Sequence, residues 1–500
     1  MKSGLINEGA VSENERPETS VLESVNFHFD AIGTATLRKG MTAVGNNLGA
    51  GNVLGLYQFR DTVNTPANDQ TLAVFGTDAY YLAGSTWTSI RASLTANSKA
   101  RFVTFLNFIF MVNGADSTAI WDGVVADGFV TNGNASGAPV GKFIEVFQAR
   151  VWIMGNASYP SRLYYSTVPS AVSTPVITWS TDVTTGTWID VSPQDGDFPT
   201  ALQRFRSTLL IFKTNRLYRL FGIGQLDPDP WYAVGTSSQE SVIETKVGVF
   251  FHHSSGIYQY NIYGIVEEVS RPIWDFIRAI PASAYPNVVG WLEPDGDHVV
   301  WAVGTVTVYS PWGSGGNKGT TYVNCELRYS ISTQVWTVYS RASQITTSIR
   351  RQPLYNDGSN LQALAGDNIG NVAEINTGTQ DLDSSGNATQ PINYSLIHRW
   401  DNLDGLLSTR LTVNIVNFSH KGGAGSKVAY QTDDQDPDDL GNWTRKIGTG
   451  ELKAKNTGYQ TADIKGRKMR FRVWGSSIGQ PFIYDGYEII DAQAEFYNFS

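Results

Sequence analysis

Carboxylates, arginines and tyrosines are the groups in this chain whose types and spacing could do chemistry. Ser180-Thr-Asp182-Val-Thr-Thr-Gly186-Thr187-Trp188 approximates the pattern S-x-D-x-G-x-T-W with two extra residues between Asp and Gly. Such a segment is a turn-stabilising device, in which the carboxylate accepts turn N–H groups and the Trp packs between sheets; it carries no catalysis. Glycoside hydrolysis of the sialidase type would also need an arginine cluster for a substrate carboxylate and a carboxylate-assisted Tyr nucleophile. Spacing alone cannot place those groups on one face.

Two Asp-Gly-Asp segments, Asp195-Gly196-Asp197 and Asp295-Gly296-Asp297, could pair carboxylates for acid/base work or Ca²⁺. Each is better read as a β-turn in which Asp bonds its own backbone and Gly takes positive φ. The run Asp433-Asp434-Gln435-Asp436-Pro437-Asp438-Asp439 alternates carboxylates as an EF-hand does from Asp434. Asp439 stands where that loop requires Gly and Arg445 where it requires Glu, so a solvated loop is expected. His252 and His253 are adjacent and point to opposite faces of a strand, which prevents easy sharing of a metal. Gly313-Ser-Gly315-Gly316-Asn-Lys318-Gly319 is followed by Thr-Thr-Tyr-Val, a strand and not the helix N-terminus a phosphate cradle needs, so it reads as a loop. The pairs Tyr80-Tyr81 and Tyr164-Tyr165 could be sugar platforms, but alternation puts one ring of each into a core and the other outward. No catalytic, cofactor-binding or metal-binding residue is assigned, and no enzyme activity is expected.

Net charge is −9, and Lys and Arg are scattered. A nucleic-acid grip normally shows a basic stripe that displaces counterions. The nearest candidate, Arg467, Lys468, Arg470 and Arg472, is expected to be a solvated strand face. The single cysteine, Cys325, permits no internal disulfide and is expected as a small buried apolar residue. No stretch approaches the ~18 apolar residues of a membrane helix, and the first residues lack an apolar signal region. The expectation is a soluble protein made in a cytoplasm, with no membrane insertion. Triplets such as Asn156-Ala-Ser158 and Asn442-Trp-Thr444 are expected to be turns.

The elements that must position these groups are strands. Gly, Ser, Thr, Asn, Val, Ile and aromatics are plentiful, whereas Met, Lys and Glu are sparse. One phrase recurs: an apolar strand, a Gly/Asn/Asp turn, then a strand with aromatics. It appears at 72–84, 108–123, 151–166, 209–222, 247–261, 299–330 and 361–376. That period is the spacing of β-propeller blades. The expected fold is all-β, a six- or seven-bladed β-propeller with a C-terminal β-sandwich-like domain and an extended N-terminal arm. Residues 1–20 are polar and form the arm. Residues 21–405 form the propeller, with an N-terminal strand completing its last blade and removing exposed sheet edges. Residues 406–500, with longer alternating strands, form the sandwich.

Ser24-Val25-Asn26-Phe27 through Gly33 and Leu37-Arg38-Lys39-Gly40 resembles the opening of propeller proteins in the tails of short-tailed bacteriophages. So do Leu163-Tyr164-Tyr165-Ser166 with Trp188, Asp195-Gly196-Asp197 and residues 202–222, and GRKMRFRVWGSS with FIYDGYEI near the C-terminus. The resemblance is to the tail nozzle or tail-hub family. It implies a structural virion protein forming a homohexamer below the portal and adaptor ring, extending the DNA exit channel and helping retain and release the genome. Tail fibre or tail-tip proteins would be further partners, and DNA would pass without sequence-specific contact. A departure is the absence of an obvious long insertion to act as a channel gate. A net acidic, patch-poor chain suits a conduit in which phosphates must slide. Two other readings stay open, a carbohydrate-binding adhesion or receptor-binding propeller and a sialidase-like glycosidase.

Overall fold

The computed structural model describes residues 21–29, 34–61, 69–131, 135–169, 177–180, 186–222, 232–309, 319–349, 355–356, 361–398, 401–402, 410–422, 425–433, 443, 445–452, 457–477 and 482–495. The chain is nearly all-β; the single α-helix among these residues is Trp274–Ala279. Between Met41 and Ile375 it builds seven small antiparallel sheets in sequence order. Their first strands are Val53–Phe59, Arg101–Phe105, Phe143–Phe147, Pro199–Phe205, Ile243–Thr245, Val289–Leu292 and Ile345–Ser348. The phrase repeated in the sequence is the hairpin that follows each of these strands. Each first strand or its flanking turn packs against the first strand of the next sheet, and Ile345–Ser348 returns to Val53–Phe59, so the circuit closes.

Closure explains why the second strands read as unbroken apolar runs. Along Thr208–Lys213, Leu209 and Ile211 enter the core shared with the preceding sheet, while Leu210 and Phe212 enter the core shared with the following one. Side chains alternate, and both faces are covered, so both sets must be apolar. The same alternation sends Tyr164 to one core and Tyr165 to the other. This corrects the expectation of one outward ring per pair: a sheet between two neighbours has no outward face. The last seam joins Val53, Leu56 and Ala73 to Leu364 and Val372. Gly366 makes that approach possible, since a Cβ there would meet the Val53 Cβ at 2.5 Å. Gly366→Ala is expected to cost about 1–3 kcal/mol by overpacking, measurable as a lowered denaturation midpoint.

The outer strand of the seventh sheet comes from the other end of the chain. Met41–Ala43 pairs with Val372–Ile375 in the register Ile375↔Met41 and Ala373↔Ala43. Two short strands grouped above with the ring join the C-terminal strands instead. Phe27–His28 and Ala35–Leu37 extend a sheet containing Arg410–Lys421, Thr457–Gly466 and Ile483–Glu495. A second sheet, with Ile392–His398, Lys468–Ser477, Lys427–Thr432 and Arg445–Glu451, shares with it one core that includes Phe27, Leu37, Phe418, Phe471 and Phe482. The apolar alternation at Phe27 and Leu37 marks strands but does not say which core receives them.

Val21–Val25 connects the two bodies. It pairs antiparallel with Ile392–His398 on one side and parallel with Trp336–Ser340 on the other. The sixth sheet of the ring is thereby joined to the C-terminal body in one ten-stranded sheet, the ring side meeting Val21–Val25 at the single pair Val25↔Val338. Arg38 is buried across the same junction. It donates to both oxygens of Asp381 at 2.8 and 2.7 Å, to the Ser340 carbonyl at 2.8 Å and to the Asn26 side chain at 2.8 Å. Asn26, held at φ 65°, accepts from the Ser340 amide and donates to the Asn393 carbonyl. Asn tolerates that left-handed backbone.

His252 is fully buried, and its ring packs near Tyr285. Burial, then the charge on His253, pushes it down to about 3. A histidine with a depressed folded value is neutral in the native state and takes up a proton at ~6.5 when unfolded, so stability falls as pH drops below ~6.5. His252→Leu should therefore gain about 2 kcal/mol relative to the parent between pH 7.5 and pH 5, read from denaturation curves at both values.

Candidate functional site: the central cavity

The seven first strands surround a cavity of about 950 Å³. Its wall draws charged groups from the strands and the turns that follow them: Arg60, Arg101, Glu145, Arg204, Glu244, Lys246 and Asp295, with Glu240 beside them. Arginines and carboxylates that spacing could not place on one face are thus brought together. Only Asp295 stands out in the sequence, within an Asp-Gly-Asp segment; the others precede the repeated phrase by one strand. A usable signal was present: a charged residue breaks the apolar alternation within or just after each first strand of the first five sheets.

Most of the carboxylates are already engaged. Glu145 is buried, and its two oxygens accept from the Val146 and Arg204 amides at 2.9 and 3.1 Å. Arg101 holds Glu240 at 2.8 Å, donates to the Lys142 carbonyl at 2.9 Å and lies over the Phe143 ring. Glu244 accepts from Gln203 at 3.0 Å; burial pushes its carboxyl up, against the pull of Arg204. Tyr57 stacks on Phe102 with ring centroids 5.5 Å apart, and its hydroxyl meets Thr104 at 2.7 Å, locking the first two strands together.

Of the other candidates, only Asp295-Gly296 also lines the cavity. Both Asp-Gly-Asp segments are turns. Asp195 and Asp295 accept the amides of Asp197 and Asp297 at 3.0 and 2.8 Å, with φ of 75° at Gly196 and 71° at Gly296. Asp195 also binds the fully buried Lys213 at 2.7 Å and accepts from the Tyr218 hydroxyl at 2.9 Å. Ligand atoms of Glu293, Asp295 and His298 lie within 4.8 Å of one another. They fit an ion-pair cluster better than a metal, because Glu293 already pairs with Arg328 at 3.0 Å and accepts from Asn376, while Asp295 binds His298 at 2.5 Å. Burial would raise the Asp295 carboxyl, but His298 and the turn amides hold it below its ordinary value.

His252 and His253 diverge as expected, one buried and the other bonded to Ser255 at 2.7 Å. Cys325 is buried, and burial pushes its thiol up, leaving an inert apolar group. Asn156 caps its own turn through the Ser158 amide. The basic segment departs from expectation: Arg470 is buried, donates to Gln431 at 2.8 Å and sits near the Trp443 ring, which Arg472 also faces. Trp443, far away in sequence, covers what alternation presents as a solvated face. Asp182, residues 434–439, residues 311–318 and the arm 1–20 lie outside the described residues.

No family model and no curated protein matches the sequence. Among solved structures, the chain is similar to the computationally designed Ika8 protein at 13% identity and TM-score 0.38, covering 67% of this chain and 100% of that one. It is similar to the extracellular domain of the putative hybrid two component system BT4673 from B. thetaiotaomicron at 11% identity and TM-score 0.42, covering 77% of this chain and 44% of that one. The AfRom2 CNH domain aligns at 10% identity and TM-score 0.41, covering 68% and 99%.

Proposed function

We propose that this chain is a structural tail protein of a short-tailed bacteriophage virion, a nozzle or hub subunit. In this reading the ring of sheets is a seven-bladed β-propeller, the C-terminal body is a β-sandwich, and six copies assemble below the portal and adaptor ring to extend the DNA exit channel. Tail fibre or tail-tip proteins would dock on the assembly, which is built in the host cytoplasm. The chain performs no reaction of its own. The sequence resemblance to that family motivates the reading, and the ten-stranded sheet running from the ring into the C-terminal body is the observation that carries it. A wall element that must resist a packed genome benefits from two bodies joined by strand pairing on both sides of Val21–Val25, where a flexible linker would let them move. The central cavity has the volume of a small-molecule site, so the proposed conduit runs between copies and not through the propeller. Exposed Phe198, Tyr263 and Trp274 are suited to head-to-tail contacts that close a ring.

Light scattering on the purified chain, with negative-stain images of the same peak, tests this. A species of six times the 54.8 kDa chain mass with a central hole is the expected result. A monomer that also fails to enter rings when mixed with the adaptor would sink the proposal.

A further inference from the structure

Where the ten-stranded sheet passes from the ring into the C-terminal body, the face opposite the C-terminal core is set out in two rows. Strand register places Val25, Ser395, Trp474 and Lys427 side by side across four strands, and Glu23, Ile397, Arg472 and Ala429 side by side two residues along them. Leu396, Val428 and Val473 alternate with these and enter the core. A groove of about 540 Å³ lies on this face, walled on the ring side by Thr320, Thr321 and Tyr322 of the strand Gly319–Ser330. Trp474 is only partly buried and lines it. Arg472 is fixed in place: its Nε donates to Ser395 Oγ at 3.0 Å, and its guanidinium lies 5.2 Å from the Trp474 ring centroid and 5.9 Å from that of Trp443. Glu23 is not matched in the same way. It is 8% exposed and lines the groove, yet it accepts no hydrogen bond among the described residues, and Arg472 Nη2 stands 3.9 Å from its oxygen. That separation is beyond hydrogen-bond range. A carboxylate withdrawn from water without a donor is costly, and such a group calls for a partner.

We propose that this groove binds a neutral sugar, a pyranose or a short chain of them, with one ring against Trp474 and one hydroxyl set between Glu23 and Arg472. A hydroxyl is donor and acceptor at once, so a single group gives its proton to the carboxylate and takes one N–H of the guanidinium, closing both sides of the 3.9 Å gap. A cation would satisfy Glu23 but face Arg472 and the exposed Lys427, whereas an anion would satisfy those and face Glu23. The backbone of the floor is engaged in strand pairing, so recognition falls to side chains, and Asn393, Ser476 and Thr321 around the groove each donate and accept as sugar hydroxyls require. Trp474 supplies the flat apolar surface on which ring C–H groups pack, and its hold by Arg472 leaves little to order on binding. The volume admits a mono- or disaccharide. This inference stands apart from the tail reading, since it concerns the surface of one copy and holds for a monomer or a ring.

Ligand-observed NMR titrations on the full chain test it, with glucose, galactose, mannose, N-acetylglucosamine, maltose and lactose as probes and with glucuronate and choline as charged comparators. At least one neutral sugar is expected to bind saturably, at least about tenfold more tightly than either comparator. Glu23→Gln keeps the shape and removes the charged acceptor, so it should weaken that binding by about tenfold or more without lowering the melting temperature. A purely structural Glu23–Arg472 pair gives the opposite result, a lower melting temperature with binding intact, and that result would overturn the proposal. Trp474→Ala should abolish binding of the same sugar; if it fails to fold, Glu23→Gln decides alone. Absence of saturable binding by every neutral sugar would also overturn it, as would equal binding of choline or glucuronate, or a folded variant that binds like the parent.

Discussion

Arg38→Met should be the most damaging single substitution in this chain, lowering stability by about 3–5 kcal/mol, because it leaves a buried carboxylate without its main partner. Asp381 is buried and takes both Arg38 bonds; what remains after the substitution is the Ala342 amide at 3.0 Å and Arg341 at 3.7 Å. Arg341 cannot fully substitute, because it is committed to Glu326 at 2.5 Å. The same change removes one donor each from Asn26 and from the Ser340 carbonyl, so both sides of the junction lose a bond. Removing the charge as well, in Arg38→Met with Asp381→Leu, should recover part of the loss, since the penalty comes from the uncompensated ion. Burial alone would raise the Asp381 carboxyl, but Arg38 first and then Arg341 hold it below its ordinary value. A depressed folded value contributes stability above the unfolded pKa, near 3.9, that is lost as pH falls through the folded one. The parent should therefore lose stability in acid more steeply than Arg38→Met does. Denaturant titrations at pH 7 and pH 3 check both statements. Equal slopes with pH would mean that Asp381 is not held by Arg38.

A chain beginning at Gly45 should fail to close its ring. It would lack Met41–Ala43, leaving Val372–Ile375 as an unpaired edge, and would remove Met41 from the core it shares with Val289, Trp291 and Ala365. It would also lose the Val44 amide bond to the Val372 carbonyl and the Trp87 indole bond to the Val44 carbonyl. An exposed edge of apolar strand is a template for association. The expected outcome is a broad, early thermal transition and concentration-dependent aggregation. A synthetic peptide spanning residues 35–46 should restore part of the lost transition by adding the strand back. A truncated chain that melts like the parent would show that closure contributes little.

The ring was legible because its hairpins repeat, and a period of strand and turn residues survives in the sequence whatever the neighbours are. What could not be read was long-range partnership. Phe27 and Leu37 carry the alternation of a strand wherever they pair, so the C-terminal core that receives them is invisible locally. Arg470 and Arg472 look solvated until Trp443 is placed beside them. Tyr81 and Tyr165 look outward until a second neighbouring sheet covers the other face. The cavity charges were missed for a different reason. They sit on or beside strands before the repeated phrase, only a few to a sheet, and only closure of the circuit brings Arg60, Arg101, Arg204 and Glu244 around one space. Arg38 belongs to both groups: it was noted as part of a family-like opening, yet its ion pair with Asp381 spans 343 positions.

The strand Met41–Ala43 also imposes a schedule on synthesis. It leaves the ribosome early, while its partner Val372–Ile375 is made more than three hundred residues later. At ordinary elongation rates of ~5–20 residues per second, the interval is on the order of tens of seconds. Through that time Met41–Ala43 has no partner, the Val21–Val25 stitch lacks Ile392–His398, and six sheets stand with an open seam. A nascent copy can meet another copy's seventh sheet before its own exists. Crowded expression should therefore favour strand exchange between chains, and slower initiation or chaperone cover at the N-terminus should raise the yield of correctly closed rings.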